Sequence, residues 1–269
     1  MPLLADTHCH LNFSAFQADL QEVINRARAA GVQRFMIPGA DIETSRSAIE
    51  YSDEYEFFFA AAGIHPNESA GWTGAEINEL RRLAGCSNTL AIGEIGLDFY
   101  RQRSPRELQI EVFTSQLNLA AEIGKPVIIH CREAEEETRK ILFDWHSHLD
   151  KIAPLLSGCP GVLHSFAGSL EFGKEAVQRG FYIGVGGPIT FTNAPKLRET
   201  ISSLPVEHLV IETDAPYLTP HPHRSKRNEP AYCTQIAAAM GDLFGYSLEK
   251  MALITYQNAS KLFKWERSE

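Results

Sequence analysis

The sequence predicts an α/β fold: a single-domain (β/α)8 barrel, the TIM-barrel architecture, with an extra C-terminal helix. Three observations carry that expectation. Eight short apolar runs alternate with longer helical patterns along the whole chain, and such alternation implies parallel strands joined by right-handed crossovers. Gly31, Gly124 and Gly180 each follow a helical run and precede a strand, as residues that close helices should. Histidine, glutamate and aspartate recur at the carboxyl ends of the predicted strands, the end at which barrels build their active sites.

In chain order the strands are expected at 3–9, 33–37, 57–63, 90–95, 126–130, 161–164, 181–185 and 208–213. Helices fall between them near 16–30, 43–54, 75–84, 105–123, 133–149, 169–179, 195–203 and 230–245, and a last one near 247–262 closes the chain. Eight such units favour a closed barrel over an open doubly wound sheet. No linker, low-complexity tract or shift of composition divides residues 1–269, so one domain is expected.

Composition narrows the function classes. Hydrophobic residues are 44% and charged residues 22% of the chain, ordinary for a globular enzyme. No stretch is long and apolar enough to span a bilayer, and the first residues lack the regions of a signal peptide, so no membrane association and a cytoplasmic location are expected. The five cysteines are scattered without a C-x-x-C, which disfavours a disulfide framework or a zinc knuckle. A net charge of −9 supplies no general field for polyanions, so a nucleic-acid substrate needs local cations or metal.

His8-Cys9-His10 is the most informative tripeptide. Residues two apart on a strand share a face, so both imidazoles point one way and offer half of a transition-metal site. The rest of the map supplies the other half. His65 follows strand three, Glu94 ends strand four, His130 strand five, His164 strand six and Asp214 strand eight. Four histidines and two acids (His8, His10, Glu94, His130, His164, Asp214) exceed the needs of one tetrahedral metal and fit two metals sharing a carboxylate. A mononuclear zinc with spare supporting groups is the alternative.

The segments Leu4-Ala5-Asp6-Thr7-His8-Cys9-His10-Leu11, Gly63-Ile64-His65-Pro66 and Gly93-Glu94-Ile95-Gly96-Leu97-Asp98 resemble the TatD-related metal-dependent hydrolases. So do Pro126–Arg132, His164-Ser165-Phe166-Ala167-Gly168, Glu212-Thr213-Asp214-Ala215-Pro216, Arg227-Asn228-Glu229-Pro230 and Asn258–Phe263. The resemblance runs in order over essentially the whole chain. It implies a metal-dependent hydrolase of phosphodiester bonds, a deoxyribonuclease with 3′-end exonuclease action on nucleic acid, or on a small phosphodiester. The implied cofactor is two divalent metal ions, drawn from zinc, manganese, magnesium or nickel. His8, His10, Glu94 and Asp214 would hold one ion and Glu94, His130 and His164 the other. Cys131 and Ala167 stand where serine is frequent in the family; neither departure removes a ligand.

In the mechanism that follows, Glu94 bridges the ions, a metal-activated water attacks phosphorus, and Asp214 takes its proton and passes it to the leaving oxygen. Glu212, two residues before Asp214, orients a ligand histidine or serves as a salt-bridged interior acid. His65 contacts substrate or stabilises the turn before Pro66. Arg132 grips phosphate or pairs with Glu135 or Glu136. Asp98 contacts substrate or shapes its loop. The run Thr219–Asn228 carries Arg224, Lys226 and Arg227 with no acid and reads as a phosphate clamp over the mouth, against a simple solvated loop. His221 and His223 in that run read as exposed rather than as a third metal site, and no obligate protein partner is evident. His146 and His148 repeat the H-x-H spelling on a predicted helix, where residues two apart diverge by roughly 200°. Gly184-Val185-Gly186-Gly187 lacks the full dinucleotide fingerprint, and neither a Walker loop nor a G-x-S-x-G elbow occurs. The rival enzyme is an amidohydrolase acting on a cyclic amide or carboxylic ester with the same metal centre. A barrel that binds metal without turnover is the non-enzymatic rival.

Overall fold

The computed structural model describes residues 2–265. Eight strands, β1 (Leu4–Asp6), β2 (Val32–Pro38), β3 (Phe58–Ala62), β4 (Thr89–Asp98), β5 (Val127–Arg132), β6 (Gly161–Leu163), β7 (Tyr182–Val185) and β8 (Leu209–Ile211), pair in parallel in sequence order. Backbone bonds from Thr7 N–H to Ile211 O (3.0 Å) and from Asp214 N–H to His8 O (2.8 Å) lace the first strand's end to the last and close the barrel.

The connections are helices α1 (Leu20–Ala29), α2 (Ile42–Glu54), α3 (Glu76–Ala84), α4 (Arg106–Ile123), α5 (Glu135–Ile152), α6 (Pro154–Ser157), α7 (Leu170–Gln178), α8 (Pro195–Ser202), α9 (Cys233–Phe244) and α10 (Leu248–Phe263). Their ends follow local chemistry. Asp41 and Thr44 form a reciprocal capping box at the start of α2, and the Ser169 and Ser247 hydroxyls accept the N–H groups of Phe172 and Lys250 to begin α7 and α10. Gly124 ends α4 at φ 70, a left-handed position that costs glycine nothing. Among the described residues no helix is long and apolar enough to cross a membrane.

Two apolar layers share the strands. Residues such as Leu4, Phe35, Phe58, Val127 and Leu209 face outward under the helices. Ala5, Met36, Phe59, Ala91, Ile128, Val162, Tyr182 and Val210, one from each strand, face inward. The chain's own end fills the floor: Leu262, Phe263 and Trp265, at the close of the C-terminal helix, pack into that interior cluster. The opposite mouth is thereby the open end.

Candidate metal centre

The inward-facing residues count out the site. With a side-chain period of two, Ile128 is followed inward by His130, Val162 by His164, Ala61 by Gly63 and His65, and Val210 by Glu212 and then Asp214. On these four strands each step from the apolar floor to the polar mouth is therefore two residues.

Two strands depart from the sequence expectation, and both departures serve the site. The first strand, expected through residue 9, ends at Asp6. There the buried Asp6 carboxylate accepts the N–H groups of His8 (3.3 Å) and Thr213 (2.9 Å) and the Thr213 hydroxyl (2.5 Å), and the chain bends. Ala5 faces the interior, so an unbroken strand would turn His8 and His10 away from it; the bend brings both in. Cys9 remains on the other face, buried with its Sγ 3.7 Å from Met36 O. The fourth strand, expected to end at 95, continues to Asp98 and slips register against β5 between Ile92 and Ile95. Such an irregularity re-aims side chains, and Glu94 sits inside it, directed at the barrel axis.

Glu94 is the hub. Its Oε2 lies 3.3 Å from His8 Nε2 and 3.8 Å from His10 Nε2. Its Oε1 lies 2.8 Å from His130 Nδ1 and 3.6 Å from both His65 Nε2 and His164 Nε2. Asp214 Oδ1 lies 3.6 Å from His10 Nε2, 3.9 Å from His8 Nε2 and 4.0 Å from His164 Nε2. Ligand-competent atoms gather within 4.8 Å of one another in three overlapping groups: His8-His164-Asp214, His8-His10-Glu94 and His65-Glu94-His130. Four of the other five residues expected as metal ligands face this one carboxylate, and the fifth, Asp214, faces three of those histidines.

The surroundings aim these groups. His130 Nε2 faces Asp98 Oδ2 at 3.4 Å and His164 Nδ1 faces Glu212 Oε1 at 2.9 Å, leaving His130 Nδ1 and His164 Nε2 directed at Glu94. Carboxylates in this outer position fix the tautomer of ligating histidines. Ser165 N–H donates to the same Glu212 oxygen at 2.5 Å. Gly184 makes room for that acid: a Cβ there would lie 2.3 Å from Glu212 Oε2.

Electrostatics add a demand for positive charge. Burial would raise the Glu94 carboxyl, but the surrounding imidazoles outweigh it and hold it well below the usual range. Burial likewise opposes ionisation of Asp214 and Asp98, and hydrogen bonds from His10 and His130 respectively overcome it, so both are held low. His164 is pulled down by burial but pushed up, to about 10, by Glu212 and Glu94. Buried carboxylates are paired or bind metal, and imidazoles with carboxylates are the donors of a zinc, manganese or nickel site. The residues present fit divalent metal.

The TatD-related DNase family model matches residues 5–264. The chain belongs to that family. It is 40% identical over 262 residues to the uncharacterized metal-dependent hydrolase YabD of Bacillus subtilis, covering 97% of this chain and 99% of that protein. It is 38% identical over 265 residues to a protein of Escherichia fergusonii named 3'-5' ssDNA/RNA exonuclease TatD, covering 96% and 98%. The crystal structure of YJJV, a TatD homologue from Escherichia coli K12, superposes with a TM-score of 0.89 at 30% identity, covering 97% of this chain and 98% of that one. As a TatD-family protein the chain is a metal-dependent hydrolase.

Within the TatD-family barrel, a cavity of about 690 Å³ opens above Glu94, lined by His10, His65, His130, His164 and Asp214. His65 falls among the metal-competent atoms, yet its chemistry differs. Its Nδ1 accepts the N–H of Asn67 at 3.0 Å, and burial drives its pKa down to about 3. The neutral ring then carries its proton on Nε2, and a protonated nitrogen has no lone pair for a cation. His65 offers the cavity a hydrogen-bond donor.

The expected clamp is redirected by the structure. Arg227 makes two 2.8 Å bonds to Asp19 and lies over Phe16. Arg224 donates to Thr219 O at 3.2 Å and stacks 3.7 Å from the centre of Phe191. Neither they nor Lys226 line the cavity, because the loop folds back on itself through Thr219 Oγ1 to Lys226 O (2.7 Å) and Asn228 N–H to Pro216 O (3.1 Å). Arg132 does line it. It stacks over Tyr100 at 4.0 Å, and Glu135 is engaged with Ser169 instead. Asp98 shapes its loop: Oδ1 accepts the N–H groups of Tyr100 (3.0 Å) and Arg101 (2.8 Å), and Oδ2 the Asn67 amide (3.0 Å). The lining cations that sequence reasoning missed are Arg101 and Arg103. Their signal was position, within the loop Phe99–Ser104 directly after the strand that carries Glu94. His221 and His223 join no metal-competent group among the described residues; His221 meets Phe191 edge-on and His223 stacks on Tyr232.

Proposed function

We propose that this TatD-family hydrolase cleaves phosphodiester bonds of nucleic acid from the 3′ end at a two-metal centre that His8, His10, Glu94, His130, His164 and Asp214 would hold. One observation carries the reading: the two oxygens of Glu94 face different histidine sets, His8 and His10 on one side, His130 and His164 on the other. Asp214 completes the first set, and His164 stands between the two, its ring stacked 3.6 Å from that of His8. Divalent cations held there would supply Lewis acidity and would bring the pKa of water from ~16 towards 7.

The chain's own groups do the rest. Asp214, held ionised and 14% exposed at its side chain, accepts the proton of the attacking water and returns it to the leaving oxygen. The neutral His65 donates its Nε2–H to a phosphate oxygen, and Arg132 at the end of β5 neutralises phosphate charge. Glu212 and Asp98 hold His164 and His130 in the tautomers that leave one nitrogen free. The exonuclease direction is supported by the relatives named for it. The arginine-lined mouth favours a diester over the cyclic amide or neutral ester of the amidohydrolase alternative.

The test is a 20-residue single strand labelled at its 5′ end, incubated with metal-stripped protein and then with manganese. The expected result is a metal-dependent ladder shortening from the 3′ end, alongside turnover of bis(4-nitrophenyl) phosphate. Hydrolysis of neutral esters or cyclic amides with the strand left intact would contradict the proposal.

A further inference from the structure

Strands β3 and β4 separate on their way to the mouth. Their paired register runs from Ala60 with Thr89 to Ala62 with Ile92, while His65 and Asp98 lie further along the two chains. Backbone groups beyond the last pair still need partners. Phe99 N–H donates to Arg132 O of β5 at 2.9 Å, and His65 N–H donates to Ala40 O, just after β2, at 2.8 Å. Successive extended residues present their N–H and C=O groups to opposite edges. Those of Asp98 and Ile64 therefore point into the seam between β3 and β4.

Two glutamines of α4 fill that seam. Gln109 Oε1 accepts the Asp98 N–H (2.9 Å), and its Nε2 donates to Asp98 O (3.2 Å) and Ser104 O (2.9 Å). Gln116 Oε1 accepts the Ile64 N–H (2.7 Å), and its Nε2 donates to Ile64 O (3.0 Å) and Val112 O (3.3 Å). The two residues are seven apart and share a helix face, and both are fully buried. Each amide meets the N–H and the C=O of one residue, as a neighbouring strand would. At neutral pH an unbranched side chain of this reach offers donor and acceptor together only as an amide.

What the amides hold is adjacent to the metal centre. The peptide unit joining Ile64 to His65 is gripped at both edges, by Gln116 and by Ala40 O; the unit joining Asp98 to Phe99 is gripped by Gln109 and by Arg132 O. His65 Nε2 then lies 3.6 Å from Glu94 Oε1, and Asp98 Oδ2 lies 3.4 Å from His130 Nε2. Gln109 also binds both ends of the loop that carries Arg101 and Arg103, at Asp98 O and Ser104 O.

We propose that Gln109 and Gln116 are positioning residues of the metal centre. Gln109 sets Asp98 and, through it, the His130 ring; Gln116 sets the His65 ring beside Glu94. Neither glutamine lines the cavity, so both act through the residues they hold. An apolar side chain of the same length fills the seam but releases the two peptide units, and the rings lose their fixed places. The inference rests on the roles given above to Asp98 and His65 and adds what places them.

The test uses Gln109→Met and Gln116→Met, which keep side-chain length and remove the hydrogen bonds, each in the full chain. Titration calorimetry on metal-stripped protein reads manganese affinity, and steady-state assays at saturating manganese read kcat and KM for bis(4-nitrophenyl) phosphate. Gln109→Met weakens manganese binding about tenfold, the lower end of the range for groups that orient ligands from behind. Gln116→Met leaves manganese affinity within about twofold and lowers kcat about tenfold with KM little changed, as a displaced hydrogen-bond donor should. Thermal melts on the same preparations establish that each variant is folded at the assay temperature. Lowered melting temperatures with wild-type affinity, kcat and KM would overturn the proposal, because the amides would then serve the fold alone. Where a Met variant does not fold, the Asn variant at that position, which keeps the amide and shortens its reach by one methylene, is judged by the same criteria. Failure of both to fold likewise overturns it. Wild-type turnover in the same assay reports on the phosphodiesterase reading by itself, and the calorimetric result decides the role of Gln109 whether or not that turnover is found.

Discussion

The floor and the mouth of this barrel are built on the same eight strands, a few residues apart, with opposite physics. At the floor, Ala5, Met36, Phe59, Ile128, Val162 and Val210 close on Phe263 and Trp265, and every step of burial stabilises the fold at roughly 25 cal/mol per Å². At the mouth, Glu94, Asp98, His8, His10, His164 and Glu212 are equally buried, yet each is a polar or charged group removed from water. The lesson is that the floor supplies the stability that the mouth consumes, and that the mouth gathers the donors of a metal-dependent hydrolase at that cost.

Substitutions should therefore separate the two regions. The largest effect expected is on turnover. Glu94→Gln removes the shared charge and lowers kcat on the order of 10²–10³-fold, while the melting temperature stays within a few degrees of wild type; a variant that unfolds instead would show that the mouth also carries stability. Phe59→Ala does the reverse, destabilising by about 3–5 kcal/mol with kcat at 25 °C preserved, as thermal melts and steady-state assays on one preparation would reveal. Divalent metal at a hundred times its Kd raises the stability of the wild type by about 2.7 kcal/mol. Phe59→Ala keeps that increment and a His8→Ala, His10→Ala double variant loses it, measured as the shift of the melt on adding metal. Gly184→Ala, whose new Cβ meets Glu212 Oε2 at 2.3 Å, displaces the acid that aims His164 and costs about 10–100-fold in metal affinity or turnover.

The smallest effect is on pH stability. Burial would raise Asp98, but the hydrogen bonds from His130, the Arg101 backbone and Asn67 hold it below the usual carboxylate range. Between the unfolded value, about 4, and this lower one, the unfolded chain binds more protons than the folded one. Its contribution is complete above the unfolded value and is lost as pH falls towards the folded one. Asp98→Asn lowers the neutral plateau and flattens the acid limb of the stability profile below about pH 4, readable from urea midpoints.

Much of this was legible in the sequence because the signals were local. Continuous apolar runs and the pattern of alternation marked the eight strands, and the parity of residues along β5, β6 and β8 already placed His130, His164, Glu212 and Asp214 at one rim. The misread details depended on contacts from afar. The bend at Asp6 arises from Thr213, more than two hundred residues away, and the register slip that aims Glu94 arises from pairing with β5. Arg224, Lys226 and Arg227 read as a clamp from composition alone. Whether a loop's cations face the cavity depends on what else satisfies them, and Asp19 and Phe191 do so for the two arginines. Arg101 and Arg103 lacked any motif; only the loop's anchorage to Asp98 brings them to the mouth.

The central claim is that one carboxylate is shared by two cations. Anomalous diffraction from a manganese-loaded crystal tests it most directly. Two peaks, one beside each oxygen of Glu94, with His8 and His10 around the first and His130 and His164 around the second, are the predicted result. A single peak, or two that leave Glu94 uncoordinated, would contradict it.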